Sequence, residues 1–102
     1  MAGNPTGFAS PEMALQFLRS RHDVTFEKSG DWLVAANAAN QAVWSFPPQG
    51  HPAYPSVIKR SVVAGADGQY HIHTAIQCGG TKAVCDQLVL DYRRLNQRSL
   101  GR

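Results

Sequence analysis

The feature that most constrains the fold is a pair of β-branched stretches joined by one glycine-rich turn. Residues 57–64 and 69–77 are rich in Val, Ile and Thr, and Gly65-Ala66-Asp67-Gly68 lies between them. Such a pattern predicts an antiparallel hairpin. A three-residue loop over 66–68, with Gly68 in the left-handed conformation, is the turn that fits this spacing.

The register of this hairpin follows from its apolar side chains. The pairing that keeps the large apolar residues on one face joins Ala64 to Tyr70, Val62 to Ile72, Arg60 to Thr74 and Ile58 to Ile76. The opposite face then receives Lys59, Ser61, Val63, His71, His73 and Ala75. A shift of one residue would mix the two faces, so we expect this register.

Helical signals flank the strands. Ser10-Pro11-Glu12 combines a capping hydroxyl, a proline at the first helical position and an acidic residue, which predicts a helix over 10–22. A second helix is predicted to begin at Thr81, because five apolar residues then fall on one stripe: Val84, Cys85, Leu88, Tyr92 and Leu95. Residues 1–9 are expected to be a flexible lead-in.

Three more strands are predicted before the hairpin, at 24–28, 32–36 and 41–46, with a turn candidate at 37–40. The alanine-rich stretch 35–42 also fits a short helix. The order of helix, about five short strands and helix predicts a single α+β domain over 1–102. We expect the N-terminal and C-terminal helices to flank an antiparallel sheet and to pack on one of its faces.

The composition excludes several classes of protein. The chain has 102 residues, of which 43% are hydrophobic and 17% charged, as expected for one globular domain. It contains no dinucleotide, phosphate-loop, zinc-protease or hydrolase motif, and no run of about 18 apolar residues that would span a membrane. The net charge of +3 comes from scattered residues, so we expect a solvated surface. Nucleic-acid binding through Arg60, Arg93 and Arg94 is the alternative.

The two cysteines, Cys78 and Cys85, lie seven positions apart. A disulfide that closes this short loop would stabilise the fold by about 2–3 kcal/mol, and such bonds persist in oxidising compartments. We therefore expect a disulfide in an exported protein, periplasmic or secreted, whose signal peptide has been removed. Residues 1–4 would then be a start added to the mature chain for expression. Two buried thiols in a cytosolic protein are the alternative.

Three histidines are candidate metal ligands. His71 and His73 are two positions apart on a predicted strand, so both rings leave the same face. His51 or Asp67 would complete a metal site. The same pattern suits a polar sheet face without metal, and we expect no metal. The alternative function is a small metal-binding or acid–base enzyme that uses His51, His71 and His73.

The most distinctive stretch is 44–55, WSFPPQGHPAYP, in which the proline-rich segment 47–55 has four prolines that prevent a regular element. A stiff loop loses little freedom on docking, which favours partner binding through this loop and the adjacent sheet face. Five residues are candidate contacts: Trp44, His51, Tyr54, His71 and His73. In the alternative, the stretch 44–55 is a rigid crossover in which Trp44 and Phe46 belong to the core and Tyr54 covers an edge.

No arrangement of residues predicts catalysis. Cys85 with His71 or His51 would resemble a nucleophile and its base, but Cys85 shares the apolar stripe of the second helix, where a buried thiol is inert. No pair of carboxylates stands out either. We therefore expect a non-enzymatic protein that uses no cofactor and no small-molecule substrate, and whose partner is another protein.

A resemblance covers residues 44–96. The segments WSFPPQGHPAYPSVIKR at 44–60 and CGGTKAVCDQL at 78–88, followed by a helix that ends in Leu-Asn, resemble small exported proteins of unknown function from Burkholderia-type proteobacteria. The resemblance implies an exported compartment and a small size. It assigns no catalytic residue.

Overall fold

The computed structural model describes residues 8–37 and 41–100. Its helices are α1 (Pro11–Arg19) and α2 (Lys82–Leu100), and five strands lie between them: β1 (Thr25–Ser29), β2 (Trp32–Asn37), β3 (Ala42–Phe46), β4 (Ser56–Ala64) and β5 (Tyr70–Cys78). The strands form one antiparallel sheet in the order β1-β2-β3-β4-β5. The predicted α+β class is confirmed. Neither helix, over the residues described, is long and apolar enough to cross a membrane.

The hairpin of β4 and β5 has the predicted register. Ala64 pairs with Tyr70, and the ladder continues to Ser56 opposite Cys78. Gly68 adopts the left-handed conformation at φ 82°, and the Gly65 N–H donates to the Gln69 carbonyl at 2.7 Å. The turn therefore closes as expected for a three-residue loop with glycine at its last position.

Helix α1 begins where the sequence predicts and ends earlier. Ser10 is the N-cap, and its hydroxyl accepts a hydrogen bond from the Met13 N–H at 3.2 Å. The helix stops at Arg19 rather than at residue 22, and Ser20 follows as the C-cap. Beyond it, the Arg21 guanidinium binds the Asp23 carboxylate at 2.8 Å, so these two residues form a local ion pair outside the helix.

The two helices pack on opposite faces of the sheet, so the prediction that both pack on one face is wrong. Leu18 of α1 belongs to a core cluster with Val57 of β4. Leu88 of α2 belongs to a second cluster with Ile58, the next residue of the same strand. Because neighbouring strand residues point to opposite faces, the clusters lie on opposite sides of the sheet.

The reason for two helical layers is that the sheet is apolar on both faces. The α1 face carries Ala35, Ala42, Trp44, Phe46 and Val57, and the α2 face carries Trp32, Ile58 and Ile76. A sheet that is apolar on both faces must be covered on both. One helix over one face would leave the other cluster in water.

Two predicted segments fall partly outside the described residues. The residues outside are 38–40 of the turn candidate and 1–7 of the lead-in. Ala35 and Ala42 lie in β2 and β3, so the short helix considered for 35–42 is wrong at these positions. The described end of the lead-in packs on the fold, since the Phe8 ring lies 5.3 Å from that of Phe17.

Candidate functional site

The proline loop, residues 47–55, is ordered by its own backbone. It joins β3 to β4 at one end of the sheet. The His51 N–H donates to the Pro48 carbonyl at 3.1 Å, and the Tyr54 N–H donates to the His51 carbonyl at 2.9 Å. The His51 Nδ1 atom also accepts from the Ala53 N–H at 3.0 Å. Two consecutive turns therefore fix the loop without help from a partner.

The proline loop is also anchored to the segment between β5 and α2. The Gly79 N–H donates to the Pro55 carbonyl at 2.8 Å, and it lies 3.3 Å from the Ser56 hydroxyl. A Cβ atom on Gly79 would lie 2.5 Å from the Pro55 oxygen, and one on Gly80 would lie 2.8 Å from the Pro52 oxygen. Both positions therefore require glycine, because the two backbones touch.

The predicted disulfide between Cys78 and Cys85 is confirmed, with the two Cα atoms 5.9 Å apart. It closes over Gly79 and Gly80 and joins the end of β5 to the first turn of α2. The Thr81 hydroxyl accepts from the Val84 N–H at 3.3 Å and caps this helix. The loop, the glycine pair and the disulfide thus form one connected unit at this end of the sheet.

A groove of about 340 Å³ lies beside the loop, on the α1 face. We call it the proline-loop groove; it is bounded by α1, by the β1–β2 turn and by the loop. Its apolar lining includes Leu15, Leu33, Phe46, Pro47, Tyr54 and Pro55. Its charged residues have both signs: Glu12 and Asp31 are acidic, and Arg19 and Lys28 are basic. The arrangement suits an apolar segment that carries charges at its ends.

Two of the predicted contact residues lie in the loop, but on different sides. Tyr54 lines the proline-loop groove and is 39% exposed. His51 lies on the α2 side, where its ring centroid is 5.2 Å from that of Trp32 in an edge-on contact. Its Nδ1 atom already accepts a backbone hydrogen bond. His51 therefore helps to hold the loop, and Tyr54 is the loop residue that presents an aromatic surface.

Trp44 belongs to the core, as the alternative interpretation of this segment predicts. It is only 7% exposed and packs in the cluster beneath α1, so it offers no contact surface. The Lys59 ammonium lies 5.7 Å from the centre of its ring. The indole Nε1 atom is buried and has no hydrogen-bond partner among the described residues.

His71 and His73 lie far from the loop. Both are exposed on β5, and the His71 Nε2 atom is 3.4 Å from the Asp67 carboxylate in the turn. The pKa of Asp67 is lowered, first by a hydrogen bond from the Gln69 N–H and then by His71. His73 pairs with Ser61, which lies five residues along β4 from Ser56, the first residue after the loop, or about 16 Å at a rise of about 3.3 Å per residue.

The three histidines do not converge on one point. His71 and His73 alternate with Ile72, which lines a groove against α2, so their side chains leave the other face of the sheet. His51 lies on the α2 side. Within residues 8–37 and 41–100, no group of three possible ligands is placed to hold a metal ion. The structure therefore does not assemble the site that the alternative function requires.

Arg60 is held between the sheet and α2. Its Nε atom donates to the Asn96 side-chain oxygen at 2.9 Å, and its guanidinium lies 5.8 Å from the Tyr92 ring centre. The Asn96 amide donates in turn to the Thr74 hydroxyl at 2.7 Å. Burial raises the pKa of Tyr92, because the phenolate would lose hydration there. Arg60 therefore serves this polar link and is turned inward.

The groove residues outside the loop were missed by sequence reasoning. Leu15 lies in α1, and Leu33 lies in a strand whose two faces are both covered. Neither carries a local signal, since each becomes part of the groove only through packing.

No family model, no curated protein and no solved structure matches the chain. The resemblance to small exported proteins stays a prediction.

Proposed function

We propose that this protein is a non-enzymatic, exported interaction module that binds a segment of a partner protein in the proline-loop groove. The observation that carries the proposal is the groove itself, an apolar volume of about 340 Å³ with an exposed tyrosine on a loop fixed by internal hydrogen bonds. A surface that is already ordered loses little conformational entropy when a partner docks.

The size and charge of the groove favour an extended peptide segment as the ligand. Its volume lies near the lower limit of about 300 Å³ for ligand pockets, which holds a few side chains but no folded element. Tyr54 supplies an aromatic surface of the kind that lines grooves for extended peptides, and Pro47 and Pro55 add apolar surface beside it. The acidic and basic residues at the rim complement a segment with charges of both signs beside its apolar side chains.

The disulfide supports the exported location. A bond between Cys78 and Cys85 persists in the periplasm or outside the cell and is reduced in most cytosols. Mass spectrometry of protein purified from its native compartment, with and without reductant, tests this part of the proposal. We expect a mass difference of two hydrogens on reduction. Two free thiols in the native material would contradict export.

Peptide display tests the contact surface. We expect a library of random twelve-residue peptides to yield ligands whose affinity falls at least tenfold in Tyr54→Ala. The matched control is Tyr70→Ala, which removes a tyrosine that is 65% exposed at the opposite end of the sheet. This control should leave the affinity unchanged, and both variants should keep the melting temperature of the parent protein.

Amide chemical shifts locate the bound peptide. We expect the selected ligands to perturb Leu15 and Leu33, which reach the groove from α1 and β2. Ligands that bind Tyr54→Ala as tightly as the parent protein would refute the groove as the contact surface. A library that yields no ligand would also refute the groove as the contact surface.

A further inference from the structure

The two edges of the sheet differ in how well they are protected. The edge strand β1 is five residues long and carries Glu27 and Lys28. The other edge strand, β5, has nine residues, YHIHTAIQC, with no Lys, Arg, Asp, Glu or Pro. A long edge strand without charges or proline is open to pairing with another strand.

The hydrogen-bond pattern shows which groups of β5 are free. The Gly65 N–H to Gln69 carbonyl bond makes this pair a hydrogen-bonded position, and such positions alternate along an antiparallel ladder. Odd-numbered residues of β5 therefore bond to β4. The N–H and C=O groups of the even-numbered residues point to the outer edge: Tyr70, Ile72, Thr74 and Ile76. No strand in the described part of the chain pairs with this edge.

A second groove, of about 430 Å³, runs beside this edge on the α2 face. We call it the edge groove. It is lined by Ile72, Thr74 and Ile76 from β5 and by Val89, Tyr92, Arg93 and Asn96 from α2. Three of the four residues with outward-pointing backbone groups, Ile72, Thr74 and Ile76, therefore also have side chains that line the groove. A strand added to β5 would make hydrogen bonds and place every second side chain against this lining.

We infer that β5 and the edge groove bind an extended segment of a partner protein as a sixth, antiparallel strand. The segment carries apolar residues at alternate positions and a carboxylate side chain that meets Arg93. Arg93 lines the edge groove and enters no ion pair with any residue that the structure describes. An acidic residue on the added strand would therefore form an ion pair with the Arg93 guanidinium.

A second copy of this chain fits the edge less well. Antiparallel pairing of two β5 strands about a two-fold axis normal to the sheet places both α2 helices on the same face. Both copies of Arg93 would then line one shared groove, and each chain also carries a net charge of +3. Like charges in one groove oppose association.

The inference of an added strand at β5 is independent of the proline-loop groove, which lies on the α1 face.

Synthetic peptides test the added strand directly. The probe is a seven-residue peptide with blocked ends in which valine and threonine alternate. The valines occupy the groove-facing positions, and one of these positions carries glutamate instead. In an antiparallel ladder, the residues whose side chains face the groove also direct their N–H groups to β5. We expect N-methylation of the valines to weaken binding at least tenfold and N-methylation of the threonines to leave it unchanged. Equal affinity of the two methylated peptides would overturn the proposal.

Charge variants test the carboxylate. We expect Arg93→Gln to weaken binding of the glutamate peptide about two- to fivefold at low salt, the usual range for an exposed ion pair, and to leave the matching glutamine peptide unaffected. Arg94→Gln, next to it on α2 and outside the groove lining, is the control. Equal losses in both variants would refute the role of Arg93. The variant Tyr54→Ala should bind the probe as well as the parent protein, which separates this edge from the proline-loop groove.

Sedimentation of the protein alone tests the competing occupant. We expect a monomer at tens of micromolar. A dimer that Ile72→Lys converts to monomer would show that a second copy occupies the edge, and it would overturn the proposal.

Discussion

The substitution Leu88→Ala tests how α2 is held on the sheet. Leu88 is 6% exposed, and it packs with Ala53 of the proline loop and Ile58 of β4, both of which are fully buried. The substitution removes buried methyl groups and leaves a cavity between the helix and the sheet. Since a bonded loop and a central strand form its other walls, the cavity cannot collapse freely. We expect a cost of about 2–5 kcal/mol in the free energy of unfolding.

The disulfide supplies the comparison. Cys78 and Cys85 lie seven positions apart, and a bond that closes a loop of this length restricts the unfolded chain by about 2–3 kcal/mol. The double variant Cys78→Ser/Cys85→Ser should therefore cost less than Leu88→Ala and should keep the same sheet. The matched control on the helix is Leu90→Ala, which removes an exposed leucine and should cost less than about 1 kcal/mol.

Urea denaturation, followed by tryptophan fluorescence, gives the three free energies under one set of conditions. Amide exchange then gives the distribution of stability in the double cysteine variant. A loss of protection throughout the strands of that variant would show that the bond is essential to the fold, and the reasoning above would be refuted. So would a cost for the double variant that exceeds the cost of Leu88→Ala.

Three further predictions concern close contacts and charge. We expect Gly79→Ala to lower the free energy of unfolding by about 1–3 kcal/mol, because the new Cβ atom meets the Pro55 carbonyl oxygen at 2.5 Å; thermal melts measure this. Asn96→Ala removes the amide that links the sheet to α2 and should cost about 1–3 kcal/mol in urea denaturation. A hydrogen bond from Arg21 lowers the pKa of Asp23 to about 2, so the stabilisation that this carboxylate gives is present above pH 4 and is lost between about pH 4 and pH 2. We expect Asp23→Asn to flatten the pH dependence of stability in that window, and an unchanged pH profile would contradict the assignment.

The parts of the fold that the sequence predicts are those specified by short-range patterns. The β4–β5 register follows from alternation and from Gly68, which adopts the conformation that the turn requires. The disulfide follows from two cysteines that any compact arrangement keeps close together. The helix placement is not specified in this way. Helix α2 covers the face with Ile58 and α1 covers the face with Val57, and two adjacent apolar residues cannot indicate which helix belongs to which face.

The candidate site, too, has one part that could be predicted from the sequence and another that could not. Tyr54 could be predicted from its position among prolines, since such a residue has few ways to become buried. The remainder of the proline-loop groove could not be predicted, because Leu15 and Leu33 reach it from segments that are distant in sequence. The separation of His71 from the loop follows from the predicted register, because pairing with Val63 places His71 beside the turn, at the far end of two nine-residue strands.

The strand order has a consequence for how the chain acquires its structure. Every strand pairs only with strands that are its neighbours along the chain, so each pairing closes a short loop, and chains with mainly local contacts fold quickly. The two cysteines allow only one intramolecular pairing, and they are brought together by the last turn before α2. A chain that enters an oxidising compartment unfolded can therefore build the sheet strand by strand and form its bond with no mispaired intramolecular disulfide to be corrected.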